Sequence, residues 1–309
     1  LKALGVKPGD EVITQSFNFI ATIEAIIDVG AKPIIVNVDE NLHMDFNEVK
    51  KCISRKTKVI IPVHMLGQPC DLFKLKKIIE KRKIFILEDN CESIGSRINN
   101  KYSGTIGDIG VFSFDFGKVI TTGEGGAILT NKFKHFKFCR EYHDHGHENN
   151  KKFPRGKDTK SIPGFNYRMT EIQASIGKIQ LKKLTKILKN NKSKYLILEN
   201  KIKKKLKIRE CSKKNIQIFD TFIFFEKNLL MRKKIIKVLK NNNLGTKVLP
   251  DAMEWHCSYF WNHALDRKNI LKSKKTINFL KNAISVPINF KTSIKIYQKI
   301  AKEILNLKI

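Results

Sequence analysis

Short apolar runs alternate with helix-patterned segments from residue 11 to about residue 184. The apolar runs are rich in β-branched and aromatic residues, which predicts strands at residues 11–14, 33–37, 59–63, 84–88, 109–114 and 126–130. Between them, residues 21–29 and 71–81 have apolar side chains at helical spacing. Strands that are apolar along nearly their whole length are buried on both faces. The pattern therefore predicts an α/β fold with a mostly parallel sheet covered by helices on both sides.

The rest of the chain predicts a second, smaller unit. Residues 144–165 are polar and indicate a surface loop, and helical periodicity returns at residues 167–184. The basic stretch at 181–209 keeps leucine and isoleucine at helical spacing, as an amphipathic helix does. The remaining pattern predicts strands near 216–225 and 246–249, a helix near 230–240 and two C-terminal helices. We therefore predict a large domain over residues 1–184 and a small C-terminal α+β domain over residues 185–309.

The net charge of +31, from 60 Lys+Arg against 29 Asp+Glu, raises the question of nucleic-acid binding. The excess is mostly lysine and is spread over both halves of the chain. No zinc knuckle, helix-turn-helix or aromatic RNA-binding motif accompanies it. We favour a compositional bias and keep a nucleic-acid-binding polycation as an alternative, which would show salt-sensitive affinity for arbitrary DNA.

Cysteine usage and hydropathy indicate a cytoplasmic protein. The six cysteines form no CxxC pair, so neither a zinc site nor a disulfide framework is expected. No run approaches the roughly 18–20 apolar residues of a membrane span, and no charged-then-apolar leader is present. The sequence opens directly on LGVKPGDEVI, so we expect the N-terminal part of the large domain to be incomplete.

Lys118 lies in a turn between two apolar strands, followed by the glycine-rich stretch at 123–126. In a chain this rich in lysine, an ordinary surface residue is the alternative. The neighbouring Phe112, Phe114 and Phe116 predict partial desolvation, which favours the neutral amine that a Schiff base requires. Lys118 is therefore a candidate nucleophile.

Three further residues fall at predicted strand ends, where the catalytic groups of an open α/β sheet collect. Asp89 could hold a positive charge such as a protonated pyridine nitrogen, Ser113 could donate to a phosphate, and Phe19 could stack on a flat ring. Each residue alone could be structural. Together with Lys118 they describe a site for pyridoxal 5'-phosphate.

The order of motifs resembles the DegT/DnrJ/EryC1/StrS family of sugar aminotransferases, as seen in GDEVITQSFNFIAT, GAKPIIVNVD, TKVIIPVHMLGQPCD, ILEDNCESIGS, GDIGVFSFDFGKVITTGEGGAILTN and GFNYRMTEIQASIGKIQLKKL. The resemblance implies the pyridoxal-phosphate-dependent fold type I (aspartate aminotransferase-like), with a seven-stranded-type sheet. It makes Lys118 the Schiff-base lysine, Asp89 the partner of the pyridine nitrogen, Ser113 a phosphate ligand and Phe19 the ring platform. Asn166 would reach the phosphate bound in the neighbouring subunit, which implies a homodimer with shared active sites.

Two departures from the family pattern affect the predicted site. The family's Gly-Thr-Ala phosphate loop corresponds to a position upstream of Leu1. Glu92 stands where many relatives carry glutamine or histidine, near the expected position of the cofactor's 3-oxygen. Relatives with histidine in place of the lysine are dehydratases, and Lys118 argues against that branch.

The expected reaction transfers an amino group, from glutamate, to a keto or aldehydo sugar of cell-surface polysaccharide or lipopolysaccharide. The segments HDHGHEN and DAMEWHCSYFWNHAL are similar to enzymes that form 8-amino-3,8-dideoxy-manno-octulosonate. An acceptor that is a nucleotide-linked 3- or 4-keto sugar is the alternative. A catalytically silent relative acting as a regulator or binding subunit is an alternative of another class.

Candidate substrate residues are His145, Arg168, Trp255 and His256. Arg168 could equally pair with Glu171. Trp255 and His256, with Tyr259 and Trp261, line either the sugar pocket or the core of the small domain. His143, His145, His147 and Glu148 are possible metal ligands, but alternate spacing in a loop does not direct them to one centre, and we predict no metal site.

Overall fold

The computed structural model describes residues 1–308. Its strands are β1 (Glu11–Gln15), β2 (Lys32–Val36), β3 (Thr57–Ile61), β4 (Phe85–Asp89), β5 (Arg97–Ile98), β6 (Lys101–Tyr102), β7 (Ile109–Ser113), β8 (Gly126–Leu129), β9 (Lys207–Ile208), β10 (Asn215–Ile216), β11 (Thr221–Phe225) and β12 (Ala283–Pro287). The main sheet has the order β2-β1-β3-β4-β7-β8, with only β8 antiparallel. The predicted mostly parallel sheet is confirmed. Over residues 1–308 it has six strands, one fewer than the seven-stranded type expected.

The helices are α1 (Ile20–Asp28), α2 (Phe46–Cys52), α3 (Leu72–Ile79), α4 (Phe133–Tyr142), α5 (Glu171–Ile202), α6 (Leu229–Asn241), α7 (Met253–His256), α8 (Arg267–Lys272), α9 (Lys274–Leu280) and α10 (Ile294–Asn306). None of the helices within residues 1–308 is both long enough and apolar enough to cross a bilayer. The longest, α5, begins at a capping box in which Thr170 and Gln173 satisfy each other's backbone N–H groups.

The main sheet is apolar on both faces because side chains alternate along each strand. Val12 and Ile35 face α1, where Ile23 is fully buried. On the other face, Ile13, Val36 and Ile60 pack in a second cluster with Leu72 and Leu75 of α3. This two-sided burial explains why the strands read as continuous apolar runs in the sequence.

The second half of the chain forms a small antiparallel sheet in the order β12-β11-β9. Phe222 and Phe224 of β11 pack with Leu198 of α5 and Tyr297 of α10 in a separate apolar cluster. Other residues of this half, including Cys257 and Trp261, pack instead against the large sheet. The two halves are therefore in direct contact beside the carboxyl ends of the main strands.

Several sequence-based expectations differ from the structure. The helices predicted at 167–184 and 181–209 are the single helix α5. Residues 246–249 are not a strand, because the N–H groups of Val248 and Leu249 donate to the Ser285 hydroxyl instead of joining a ladder. The sequence pattern does not predict strand β12, and four helices, α7–α10, occupy the region where it predicts two.

A buried carboxylate, Glu88, fixes the loop that leads into β7. It accepts backbone N–H bonds from Gly104 at 2.5 Å and Ile106 at 2.6 Å, and a further one from Gly107. His64 Nδ1 accepts the Cys70 N–H at 3.2 Å, so its Nε2–H donates to Glu88 at 3.3 Å. Burial would raise the pKa of Glu88, but the His64 donor and the N–H groups hold it below its usual value.

Glu88→Gln is expected to destabilise the protein by about 2–4 kcal/mol, because an amide cannot accept all four donors and leaves buried N–H groups unsatisfied. The measurement is the free energy of unfolding in urea. Exposed Glu80, near the end of α3, supplies the matched control Glu80→Gln, which should stay within about 0.5 kcal/mol of the parent. Equal stability of the two variants would contradict this role for Glu88.

Candidate active site

Asp89 is the last residue of β4 and is half-buried at the carboxyl edge of the sheet. Its Oδ2 accepts the Thr22 hydroxyl at 2.8 Å, and its Oδ1 accepts the Cys91 N–H at 3.2 Å. Both donors are neutral. Within residues 1–308, no lysine, arginine or histidine nitrogen lies within 4.0 Å of this carboxylate. Asp89 is therefore held in one orientation and can pair with a cation brought by a ligand.

Phe19 precedes α1 and is linked to Asp89 through two polar side chains. The Asn18 side-chain oxygen accepts the Phe19 N–H at 2.7 Å and the Thr22 hydroxyl at 3.1 Å, and the same hydroxyl also reaches Asp89. The Phe19 ring is 45% exposed, and the His256 ring lies beside it with centroids 5.5 Å apart. The Phe19 ring is therefore open to a flat ligand, and its backbone is tied to the residues that orient Asp89.

Lys118 lies in the turn that follows β7, where its backbone N–H donates to the Asp115 carbonyl at 3.0 Å. Its side chain is 23% exposed, which agrees with the partial desolvation predicted from the sequence, although neighbouring Phe116 is 80% exposed. The Lys118 Nζ lies 3.7 Å from Glu92 Oε1. The amine is thus reachable at the same sheet edge as Asp89 and has one carboxylate beside it.

Glu92 is held by the turn at residues 65–67. Its Oε2 accepts the Leu66 N–H at 2.9 Å, and Leu66 itself has the left-handed backbone conformation, with φ at 51°. Burial would raise the pKa of Glu92, but the positive charges of Lys247 and Lys118 hold it below its usual value. The carboxylate is therefore charged at neutral pH.

Ser113 is the last residue of β7, and its hydroxyl oxygen accepts the Asp115 N–H at 3.2 Å. That bond leaves the serine O–H free to donate. Neighbouring Cys91 is not a second nucleophile, since burial and then the charge of Asp89 raise the pKa of its thiol.

One buried carboxylate, Asp144, links two arginines of the loop at residues 143–168. Arg155 pairs with both of its oxygens, and Arg168 Nη1 approaches Asp144 Oδ1 at 2.7 Å. Arg168 therefore pairs with Asp144 rather than with Glu171. The two guanidinium groups lower the pKa of Asp144. Asn166 and His145 are exposed on the same loop, and Asn166 Oδ1 accepts the Arg168 N–H at 3.4 Å.

The aromatic residues of the small-domain segment separate into two environments. Trp261 is buried, with its indole N–H donating to the Glu254 carbonyl, and belongs to the core. Trp255 is 64% exposed, and His256 faces Phe19. Within residues 1–308 no group of three or more histidine, cysteine or acidic side chains is placed to hold a metal ion.

Sequence reasoning missed four residues that shape the site. Asn18 and Thr22 are four residues apart at the start of α1. Side chains at that spacing lie on the same side of a helix, so the sequence could have predicted their hydrogen bond. Asp220 and Lys247 form an ion pair beside Glu92 and Lys118. They lie more than 100 residues further along the chain, and no local motif marks them.

The sheet edge thus combines a reachable lysine, an oriented carboxylate without a cation, a hydroxyl and an open aromatic ring on a fold type I scaffold. The sequence pattern of the DegT/DnrJ/EryC1/StrS aminotransferase family matches residues 1–305, and the chain belongs to this family.

Individual comparisons agree with this membership. The chain is 35% identical over 223 residues to a GDP-perosamine synthase of Escherichia coli O157:H7, covering 72% of this chain and 59% of that protein. Against three such synthases the chain spans between 48% and 59% of the relative's length.

Solved structures share the fold. An aminotransferase from Psychrobacter cryohalolentis superposes with a TM-score of 0.86 at 24% identity, over 99% of this chain and 83% of the other. An E. coli GDP-4-keto-6-deoxy-D-mannose-3-dehydratase with bound hydrated pyridoxal phosphate superposes with a TM-score of 0.82 at 24% identity, over 97% and 80%. The fold alone therefore does not separate transaminases from dehydratases.

Pyridoxal 5'-phosphate is the cofactor of this family, and the described residues fit it. The uncompensated Asp89 carboxylate matches a protonated ring nitrogen, the open Phe19 ring matches a flat heterocycle, and the Lys118 amine matches an aldehyde. Ser113 has an O–H available for a phosphate oxygen.

Proposed function

We propose that this protein is a pyridoxal-phosphate-dependent aminotransferase that transfers an amino group, from glutamate, to a keto or aldehydo sugar used in cell-surface polysaccharide. The observation that carries the proposal is the pairing, at one sheet edge, of a reachable Lys118 amine with an Asp89 carboxylate that meets only neutral donors. A histidine at position 118 would have indicated a dehydratase.

When bound, the cofactor supplies an electron sink for the carbanion formed at the amino carbon of the donor. The chain's own residues do the rest. Asp89 keeps its negative charge toward the ring nitrogen, and Thr22 and the Cys91 N–H hold that carboxylate in line. The Lys118 Nζ, when free and neutral, would take the proton from the amino-bearing carbon of the donor and deliver it to the aldehyde-derived carbon of the cofactor, acting as general base and then acid. Phe19, whose ring is open to solvent, would stack on one face of the cofactor ring.

The acceptor is proposed from two sources. The similarity to a GDP-perosamine synthase favours a nucleotide-linked keto sugar. The likeness of HDHGHEN and DAMEWHCSYFWNHAL to octulosonate-transforming enzymes favours the C8 aldehyde of an octulosonate. We place His145, Trp255 and His256 on the acceptor side, since His256 flanks Phe19 and the other two are exposed.

Borohydride reduction of the full-length protein loaded with pyridoxal phosphate should fix the cofactor on Lys118, because hydride converts a Schiff base into a stable amine. Peptide mass spectrometry locates the adduct, and Lys118→Ala should lose it. Lys132→Ala is the matched control, since Lys132 pairs with Asp108 on the same sheet and lies outside the site. An adduct that persists at wild-type yield in the Lys118→Ala protein would contradict the assignment.

The two acceptor classes are separated by incubating the loaded protein with glutamate and each candidate sugar, and measuring 2-oxoglutarate. Release with a nucleotide-linked 3- or 4-keto sugar alone would select that acceptor, and release with the octulosonate aldehyde alone would select the other. Binding of the cofactor on Lys118 without any amino exchange with glutamate would instead favour the alternative of a catalytically silent regulator or binding subunit.

We also propose a cytoplasmic homodimer of two-domain subunits, divided near residue 184. The six cysteines are free thiols, which suits a reducing compartment.

Helix α5 exposes an apolar stripe at i, i+4 and i+7, with Ile172, Ile176 and Ile179 between 42% and 76% exposed. Exposed Tyr167 continues the stripe toward Asn166, the residue that the family pattern assigns to the neighbouring subunit. A second copy of the chain is the occupant that this continuity favours.

Ile176→Glu is expected to shift the full-length protein from dimer toward monomer by at least about tenfold in dissociation constant, because the interface would bury an unpaired charge. Sedimentation velocity measures the shift. Leu229→Glu serves as the control, since Leu229 is 60% exposed on α6, away from the stripe. A parent protein that is monomeric at micromolar concentration would contradict the dimer.

A further inference from the structure

Four charged side chains, two basic and two acidic, line one small cavity. They are Lys118, Glu92, Lys247 and Asp220, and the cavity holds about 20 Å³. Lys118, Lys247 and Asp220 also line an adjoining cavity of about 290 Å³, so the cluster lies at the edge of a larger open space. The four charges share the small cavity, and each one affects the others.

Lys247 reaches this cavity from the small domain. Its Nζ forms an ion pair with Asp220 Oδ2, and its side chain is only 23% exposed. Asp220 in turn packs against the turn at residues 65–67, where a Cβ on Gly67 would lie 2.5 Å from Asp220 Oδ1. The same turn supplies the Leu66 N–H that holds Glu92. One turn thus holds Glu92 by a hydrogen bond and packs closely against Asp220.

Glu92 needs a cation that stays charged throughout the reaction. Lys118 lies 3.7 Å from Glu92, but its amine must give up its proton in order to react. At that moment a carboxylate that is only 13% exposed would lose its partner, which is unfavourable. Lys247 takes no part in the chemistry and keeps its charge, because Asp220 and Glu92 raise its pKa against the effect of burial.

We propose that Lys247 is a positioning residue: it is the permanent counter-charge of Glu92, and it keeps that carboxylate in place beside Lys118 when Lys118 becomes neutral. The inference deepens the proposed function and rests on it.

The charged and titratable groups that face the cluster come from every element packed around it. The charges of Lys247, Lys118 and His256 act on Glu92, and those of Asp220 and Glu92 act on Lys247. Lys247 pairs directly with Asp220, and its Nζ lies more than 4.0 Å from the Glu92 carboxylate, with which it shares the cavity. Cys91 and Asp89 lie on the Lys118 side. Of these, Lys247 is the partner whose removal leaves Glu92 and Asp220 facing each other without a fixed cation.

The first test uses the full-length protein loaded with pyridoxal phosphate and follows the pH midpoint of its visible absorption band. Lys247→Met should raise the midpoint by about one unit, because the uncompensated Glu92 holds a proton on the lysine nitrogen more tightly. In a Glu92→Gln background the same change should shift the midpoint by less than about a third of that amount. Lys247→Arg should restore the parent value.

The matched control is Lys275→Met, which removes another lysine paired with an aspartate, 2.8 Å from Asp45, outside the site. It should leave the midpoint unchanged. An equal shift from Lys247→Met in both backgrounds, or no shift in either, would overturn the proposal.

The second test needs no cofactor and so distinguishes failure of this inference from failure of the proposed function. In the cofactor-free full-length protein, a double-mutant cycle combines Glu92→Gln with Lys247→Met and measures the unfolding equilibrium constant in urea. We expect the two changes to be non-additive by at least roughly fivefold. Additive effects would overturn the coupling even if Lys118 is trapped by borohydride.

Discussion

The carboxylate of Asp89 stands at the end of the central strand β4, and within residues 1–308 it receives hydrogen bonds only from a hydroxyl and a backbone N–H. A charge in this position is costly unless something cationic reaches it, and residues 1–308 place no cation beside it. The parallel sheet determines what else reaches it. Because β1, β4 and β7 run in the same direction, their carboxyl ends bring Phe19 and the Lys118 turn to the same edge. The site is therefore a consequence of strand direction as much as of residue identity.

A second electrostatic constraint joins the two halves of the molecule. Glu92 lies beside Lys118 and is held by a left-handed turn, and that turn packs against Asp220 from the other half. Lys247 closes the arrangement by pairing with Asp220. Lys118 thus has charged neighbours from both halves, so a change in the packing between the halves would alter the surroundings of its amine.

Much of the large domain could be predicted because its strands are buried on both faces and appear in the sequence as uninterrupted apolar runs. The apolar runs place Asp89 and Ser113 at strand ends and Lys118 in the following turn, and the structure has them in those positions. Asp220 and Lys247 could not be found in this way, since their proximity to Glu92 arises from packing between distant segments. Strand β12 was missed because its five residues include a serine and end in proline, and its burial depends on β11. The partner of Arg168 stayed open because a local sequence does not show that the loop folds back onto Asp144.

The protonation state of the cofactor's ring nitrogen tests the central claim most directly. Full-length protein loaded with pyridoxal phosphate labelled with ¹⁵N in the ring can be compared with its Asp89→Asn variant by solid-state or solution NMR. The wild-type protein should give the chemical shift of a protonated pyridine nitrogen, and Asp89→Asn should give that of a neutral one. A neutral ring nitrogen in the wild-type protein, or a protonated one that survives Asp89→Asn, would contradict the account.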